Sequence, residues 1–262
     1  VSGVTALAAE GDARLEAVRY TSGGRETVLP VDHLLLHQGV VPNVNLASSM
    51  GCEILWDDVQ AAFRPRVDGF GETSVEGFAI AGDGAGIAGA EAAAERGRLA
   101  ALGALAALGR ISTGQRDEAA ASIRAVLNCY DKGRGFLDAL YRPAPQFRVA
   151  ADDAIACRCE EVTGGQVRDA VTQLGVTGPN QLKSFLRCGM GPCQGRLCGL
   201  TITETIAEAR GVSPEAVGYY RLRAPIKPIT LAELASLDNA LRAPSGGTAG
   251  ADADGLSLDT EY

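Results

Sequence analysis

The sequence predicts an α/β chain that gives way, in its last third, to a small all-α segment carrying cysteines. Three observations predict it. The first 40 residues hold stretches that alternate apolar and polar with a period of two, between Gly-rich turns. A short apolar run at 78–81 leads into a Gly-rich loop and then a long stretch rich in Ala, Leu and Arg. Finally, residues 157–198 set five of the seven cysteines among helical patterns.

Residues 4–9 (VTALAA) and 15–20 (LEAVRY) read as short antiparallel strands, joined by a turn at 10–13 and closed by another at 21–24 (TSGG). Residues 32–37 (DHLLLH) are apolar enough for a third, buried strand, with His37 at its end as a satisfied core histidine. The chain starts at Val1 in mid-pattern with no βαβ unit ahead of this strand, which reads as a fragment whose N-terminal portion is lost. The next strand expected is 78–81 (FAIA), short and buried. It runs into Gly82, Asp83, Gly84, Ala85, Gly86, Ile87, Ala88 and Gly89, and then into a helix reaching about Gly109. Taken mechanically, Gly84, Gly86 and Gly89 have the spacing of a dinucleotide fingerprint. That fingerprint needs a second strand ending in an acidic residue about 20 residues on, and more helix stands there instead. The better reading puts Asp83 at a strand's carboxyl end, accepting a hydrogen bond from a polyol. The small residues beyond it let the helix N-terminus approach a flat ring. Leu99 to Leu108 read as core packing, with Arg96 and Arg98 solvating the helix's outer face.

A helix over 116–127 is broken at 131–135 (DKGRG), and Pro143 and Pro145 end a helical connector over 111–150. Thr163 caps a helix through Val167, Ala170, Val171 and Leu174, which Gly175 stops. Pro179 and Asn180 open a second, and a third starts near Cys193 with Leu197, Leu200, Ile202 and Ile206. From about Ala243 the chain is rich in Gly, Ala, Ser and Asp and reads as a disordered tail. Cys52 and Cys129 are isolated and read as buried small hydrophobes.

Composition excludes several classes. A length of 262 residues allows one or two domains with a sizeable core. A net charge of −8 argues against nucleic acid or an anionic membrane as partner. No apolar run approaches the roughly 20 residues of a membrane span, and there is no secretory pattern. An odd number of crowded cysteines suits reduced thiols holding a cofactor in the cytoplasm better than a disulfide framework. Peripheral association with the inner membrane stays open.

Cys157 and Cys159 form a C-x-C pair, and Cys193 and Cys198 a second pair with Cys188 close by. Paired cysteines with few others near point to a metal or iron–sulfur site, with structural zinc the strongest alternative. Glycines at 189, 191 and 195 allow the backbone to close around sulfur without Cβ clashes. Each pair is expected at or just before a helix N-terminus, where N–H groups and the dipole favour thiolate charge.

Two resemblances sharpen this. The strand-end Ile80, Ala81, Gly82 and Asp83 ahead of a helix, preceded by the turn His37, Gln38, Gly39, Val40, Val41, Pro42 and Asn43, look like the C-terminal half of a two-dinucleotide-domain flavoprotein. There the Gly-Asp pair binds the ribitol of FAD, which implies Gly82, Asp83, Gly84 and Ile87 as cofactor contacts. Residues 1–40 would be the tail of the inserted NAD-like domain and 41–110 the end of the FAD domain. Residues 151–210 resemble the [2Fe–2S] domain of bacterioferritin-associated ferredoxin, with 211–262 as extension and tail. The variant CxCEEVT…GMGPCQGRxC, over 157–205, is similar to that fused to flavoprotein subunits of opine oxidases, hydrogen cyanide synthase and dye-linked proline or hydroxyproline dehydrogenases. The resemblance implies Cys157, Cys159, Cys193 and Cys198 as cluster ligands. The simpler ferredoxin has C-x-x-C for its second pair, whereas four residues separate Cys193 from Cys198, so Cys188 is a fifth candidate.

The implied function is a flavin/iron–sulfur electron-transfer subunit of an FAD-dependent amino-acid or opine-type dehydrogenase or oxidase. A flavin takes two electrons and can release them singly; a [2Fe–2S] cluster carries one at a time. No general base stands out, so oxidation of an amine or amino acid is expected on an amino-acid-oxidase-like partner chain. A further possible partner is a small ferredoxin-like subunit. The alternatives are a self-contained NAD(P)H-dependent flavoprotein reductase and a non-enzymatic metal- or iron-delivery module.

Overall fold

A computed structural model describes residues 1–37 and 39–241 of the chain. The architecture is mixed α/β, with every named strand paired antiparallel. Strands β1 (Val4–Glu10), β2 (Ala17–Ser22) and β3 (Arg25–Pro30) form a meander in the order β1-β2-β3, with Gly23 and Gly24 at positive φ in the tight turn between the last two. Only Val18 of this sheet is buried.

The expected strand at 32–37 does not form. Leu35 is 95% exposed, Leu36 and His37 are exposed too, and the Nδ1 of His37 accepts only the Gly39 N–H. An apolar run becomes a buried strand only when a neighbour completes its ladder and another layer covers it, and neither exists here among the described residues. His37 is therefore not a core histidine. Asn43 then folds back, its Oδ1 accepting the Asn45 N–H, to start α1 (Asn45–Ser49).

Strands β4 (Ile54–Asp57) and β5 (Ala62–Pro65) make a hairpin that buries Ala61, Ala62 and Phe63. The expected strand at 78–81 is replaced by isolated bridges, Val67 to Thr73 and Glu72 to Ala79, with Phe78 and Ile80 only half-buried. A 3₁₀ turn over Gly82–Ala85 leads to α2 (Ala90–Ala107), which packs along α3 (Thr113–Asp131) through Ala92, Leu99, Ala120 and Leu127. Ser112 and Gln115 build a reciprocal capping box at the start of α3. The core stripe of α2 fades toward its end: Leu105 and Leu108 are exposed. Lys132 and left-handed Gly133 break the chain before α4 (Arg134–Leu140), and a second 3₁₀ turn covers Pro145–Phe147. Cys52 is buried as expected, but Cys129 is exposed on the outer side of α3.

The cysteine-bearing part opens with β6 (Ile155–Cys157) and β7 (Val162–Thr163). Helix α5 (Gly164–Leu174) is capped by Thr163 and Gln166 and stopped by left-handed Gly175. Next come α6 (Pro179–Leu186), with Pro at its first turn, α7 (Gly199–Arg210) and the short α8 (Pro214–Val217). Val167, Ala170, Val176, Leu182, Ile202 and Ile206 form its core. Helix α7 begins only after Cys198, not near Cys193, and Leu197 is 70% exposed. Residues 193–198 are a run of turns, because positive φ at Gln194 and Gly195 is incompatible with a continuing helix.

Residues Val1–Lys227 form one compact unit and those from Pro228 a second. In the second, Thr230 and Glu233 cap α9 (Leu231–Leu241) reciprocally. The tail expected from about Ala243 lies outside the described residues. Among the described residues no helix is long and apolar enough to cross a membrane.

Candidate functional site

Two chain crossings bring the cysteines together. Cys157 ends β6, so it is fixed by the ladder to β7, and Cys159 follows in the turn toward β7. Opposite them runs the loop 187–198, entered through left-handed Arg187 and left at Cys198, the N-cap of α7. The cysteines at 157, 188 and 198 are buried, whereas Cys159 and Cys193 are half-buried at the rim. The thiols form one coupled set: Cys157 faces Cys188 and Cys198, Cys159 faces Cys193, and charge coupling also joins Cys159 to Cys157 and Cys198 to Cys193. Cys157 therefore sits on a strand rather than before a helix, and of the expected positions only Cys198 meets a helix N-terminus directly.

Glycine makes the approach possible. A Cβ on Gly191 would lie 2.3 Å from the Cβ of Cys159, so the loop could not come this close with any other residue. Gly191→Ala is therefore expected to push the two cysteine segments apart, with a severalfold loss of bound iron and unchanged helicity by circular dichroism. Full iron retention in that variant would refute this role. Gly189 and Gly195 serve a different neighbour. Their added Cβ atoms would meet the ring of Tyr220 at 2.6 and 2.8 Å.

The electrostatics differ between the rim thiols and the buried ones. Burial opposes a thiolate at Cys193, but the N–H groups of Leu197 and Gly195, the Cys159 thiol and the Arg196 charge outweigh it and lower its pKa. At Cys159 the Cys193 N–H favours the thiolate, yet the Cys193 side chain and burial prevail, and its pKa rises. Burial, reinforced by Cys157, pushes the Cys188 thiol up to about 12 and raises Cys198 as well. A soft metal or cluster bound here must displace those protons, and thiolates in low dielectric are what iron–sulfur units and zinc use. Among the described residues, no three His, Cys, Asp or Glu side chains converge on one point able to hold a single metal ion. Thiols gathered from two chain segments are the donor type that iron–sulfur clusters use.

Tyr220 was not apparent from the sequence. It is 2% exposed, its hydroxyl lies 3.9 Å from the Sγ of Cys198, and the Lys183 ammonium stands 4.6 Å above its ring. Tyr219 beside it stacks at 5.1 Å on Phe63, which meets Trp56 at 5.0 Å, so an aromatic series joins the cysteine loops to the β4–β5 hairpin. Asn45 adds a second tie, its Nδ2 donating to the carbonyl of Gln194 at 3.1 Å. An adjacent Tyr pair in a chain with only 5% aromatics was the available signal.

The second expected site lies at the start of α2. Asp83 Oδ1 accepts the N–H groups of Ala88 and Gly89 at 2.9 and 3.1 Å, so this oxygen ties down the loop just ahead of α2. A cleft of about 390 Å³ opens beside it, lined by Ile87, Gly86, Ala85, Gln60, Arg96 and Arg134 among others. Of the four residues singled out, Ile87 lines this cleft, while Gly82 and Gly84 shape the turn behind it: a Cβ on Gly82 would touch Ala93 at 3.0 Å. Gln60 is the hinge of the wall, exchanging hydrogen bonds with both the N–H and carbonyl of Ile87. Arg96 is not a mere outer-face residue, since it donates to the Gly86 carbonyl at 2.8 Å and faces the cleft. Its position on the inner side of α2 follows from packing, not from its charge.

Known proteins resemble the chain over most of its length. Residues 155–208 match the BFD-like [2Fe-2S] binding domain family. The chain is 50% identical over 244 residues to the A chain of opine oxidase from Rhizobium meliloti, covering 93% of this chain and 46% of that one. Against its counterpart in the opine oxidase of Agrobacterium tumefaciens it is 51% identical, with 93% and 48% covered. Hydrogen cyanide synthase subunit HcnB of Pseudomonas aeruginosa is 34% identical over 205 residues, with 78% and 43% covered. The crystal structure of L-proline dehydrogenase from P. horikoshii superposes with a TM-score of 0.66 at 20% identity, over 89% of this chain and 44% of that one, and so shares the fold. The chain spans about half the length of the curated relatives it matches.

Proposed function

We propose that the chain, which is 50 and 51% identical to opine oxidase A subunits over about half their length, belongs with them and is the flavin/iron–sulfur electron-transfer part of a multisubunit, FAD-dependent amino-acid or opine-type dehydrogenase or oxidase. The observation that carries this reading is the meeting of the two cysteine segments inside a BFD-like [2Fe-2S] binding domain. When bound, FAD supplies two-electron oxidation with single-electron release, and the cluster supplies one-electron carriage.

The ligand set we assign is Cys157, Cys159, Cys193 and Cys198. Supporting it, Cys193 receives two backbone N–H groups, Cys198 stands at the N-cap position of α7, Cys157 ends β6 and Cys159 lies in the turn that follows. Cys188 is then a fifth, buried thiol against Cys157. FAD would lie against the turn of Gly82, Asp83 and Gly84 with Ile87 in the cleft wall; the glycines let that turn pack on Ala93 and Ile80, and Gln60 holds Ile87 in place. The corresponding domain division is 1–110 for the flavoprotein part, 111–150 for the connector, 151–210 for the cluster domain and 211–262 for the extension. Of the carboxylates lining the cleft, Asp57 is paired with Arg64 and Asp68 accepts the N–H groups of Phe70 and Glu72, so amine or amino-acid oxidation is assigned to an amino-acid-oxidase-like partner chain. A cytoplasmic location and a small ferredoxin-like subunit complete the reading.

The test is analysis of the intact protein purified without oxygen. Two irons, two acid-labile sulfides and one FAD per chain, with a paramagnetic [2Fe–2S] signal on reduction, are expected. Stoichiometric zinc without sulfide would overturn the cluster, and rapid flavin reduction by NADH would favour a self-contained reductase.

A further inference from the structure

The Tyr220 hydroxyl has Cys198 Sγ as its hydrogen-bond partner, at 3.9 Å, in a part of the molecule from which water is excluded. Its position is over-determined. The ring is clamped against Gly189 and Gly195, where any Cβ would overlap it, meets Tyr219 edge-on at 5.9 Å, and carries the Lys183 ammonium over its face. The backbone carbonyl of Tyr220 is held as well, accepting from Ser48 Oγ at 3.3 Å. A ring so enclosed cannot swing its hydroxyl to another acceptor.

We propose that Tyr220 is a positioning residue that raises the reduction potential of the [2Fe–2S] cluster through its O–H···S hydrogen bond to Cys198. This rests on the ligand assignment above. A ligating Cys198 has lost its proton, so the tyrosine must be the donor. Reduction adds one negative charge to the cluster, part of which falls on the ligand sulfurs. A donor aimed at one of them stabilises the reduced form more than the oxidised form, and the potential rises. Low local dielectric magnifies the effect, and the Lys183 charge above the ring polarises the O–H in the same direction.

The experiment is a redox titration of the intact protein followed by paramagnetic resonance, with iron and sulfide counted in each sample. Tyr220→Phe keeps the ring and removes the hydroxyl. It is expected to retain full iron and sulfide and to disfavour reduction about tenfold, which is about 59 mV more negative for a one-electron couple. Replacing Tyr220 by 3-fluorotyrosine, a stronger donor of nearly the same shape, should move the potential the other way. A full cluster with an unmoved potential in both variants overturns the proposal. Loss of the cluster from Tyr220→Phe while the fluorinated protein titrates like the parent overturns it too, leaving Tyr220 a purely structural residue. A parent protein with no iron or sulfide would instead sink the cluster reading itself.

Discussion

Cys193→Ser is expected to abolish the iron–sulfur cluster while leaving the fold and flavin content intact. Cys193 is half-buried at the rim, so a smaller, harder oxygen there costs little packing. It does remove the thiol on which the N–H groups of Leu197 and Gly195 converge and whose pKa they lower. Serine is a poor ligand for iron, and losing one of four thiolates opens the cluster to solvent. Iron and acid-labile sulfide should fall together to background, with the melting temperature of the apo chain unchanged. Unchanged iron in this variant, joined to loss of iron in Cys188→Ser, would transfer the ligand role to Cys188.

The second large effect concerns Arg148, on the connector, and Glu204, on α7. Their side chains are each 12% exposed and meet at 2.7 Å, and Arg148 also donates to the carbonyl of Ala61. Burial raises the Glu204 pKa despite the guanidinium beside it. Removing Arg148 strands a buried carboxylate and a carbonyl. Arg148→Met is therefore expected to destabilise the chain by about 3 kcal/mol at neutral pH. The sign with pH follows: a carboxyl whose folded-state pKa is raised holds its proton longer in the folded state, so stability falls as pH rises through that value. The deficit of Arg148→Met should shrink under acid conditions, where Glu204 is neutral. Denaturant melts at acid and neutral pH measure this, and a deficit independent of pH contradicts the stranded-carboxylate account.

Local chemistry is readable along the chain. The cap at Thr163, the stop at Gly175 and Pro at the start of α6 depend on residues within a few positions of one another, and all stand where the pattern places them. The two hairpin strands, β1 and β2, and the break after α3 are equally local. Reading fails where a segment depends on distant partners. The runs at 32–37 and 78–81 carry strand-like composition, yet strands require ladders supplied by other segments, and the described residues supply none to 32–37 and only an isolated bridge to 78–81. Apolar spacing places the start of α7 too early because it ignores the positive φ at Gln194 and Gly195.

At the site the division has the same cause. Cysteine identity and spacing point to a metal or iron–sulfur site, and the resemblances of the Gly-Asp turn and of the cysteine motif imply FAD and a [2Fe–2S] cluster, because such chemistry is carried by side-chain type and short spacing. What only packing decided is which thiol faces which, that Cys188 lies buried against Cys157, that Asp83 turns one oxygen to the loop just ahead of α2, and that Tyr220 reaches Cys198. Each of these joins residues far apart in the chain or turns a side chain by the space its neighbours leave, and composition does not encode that space.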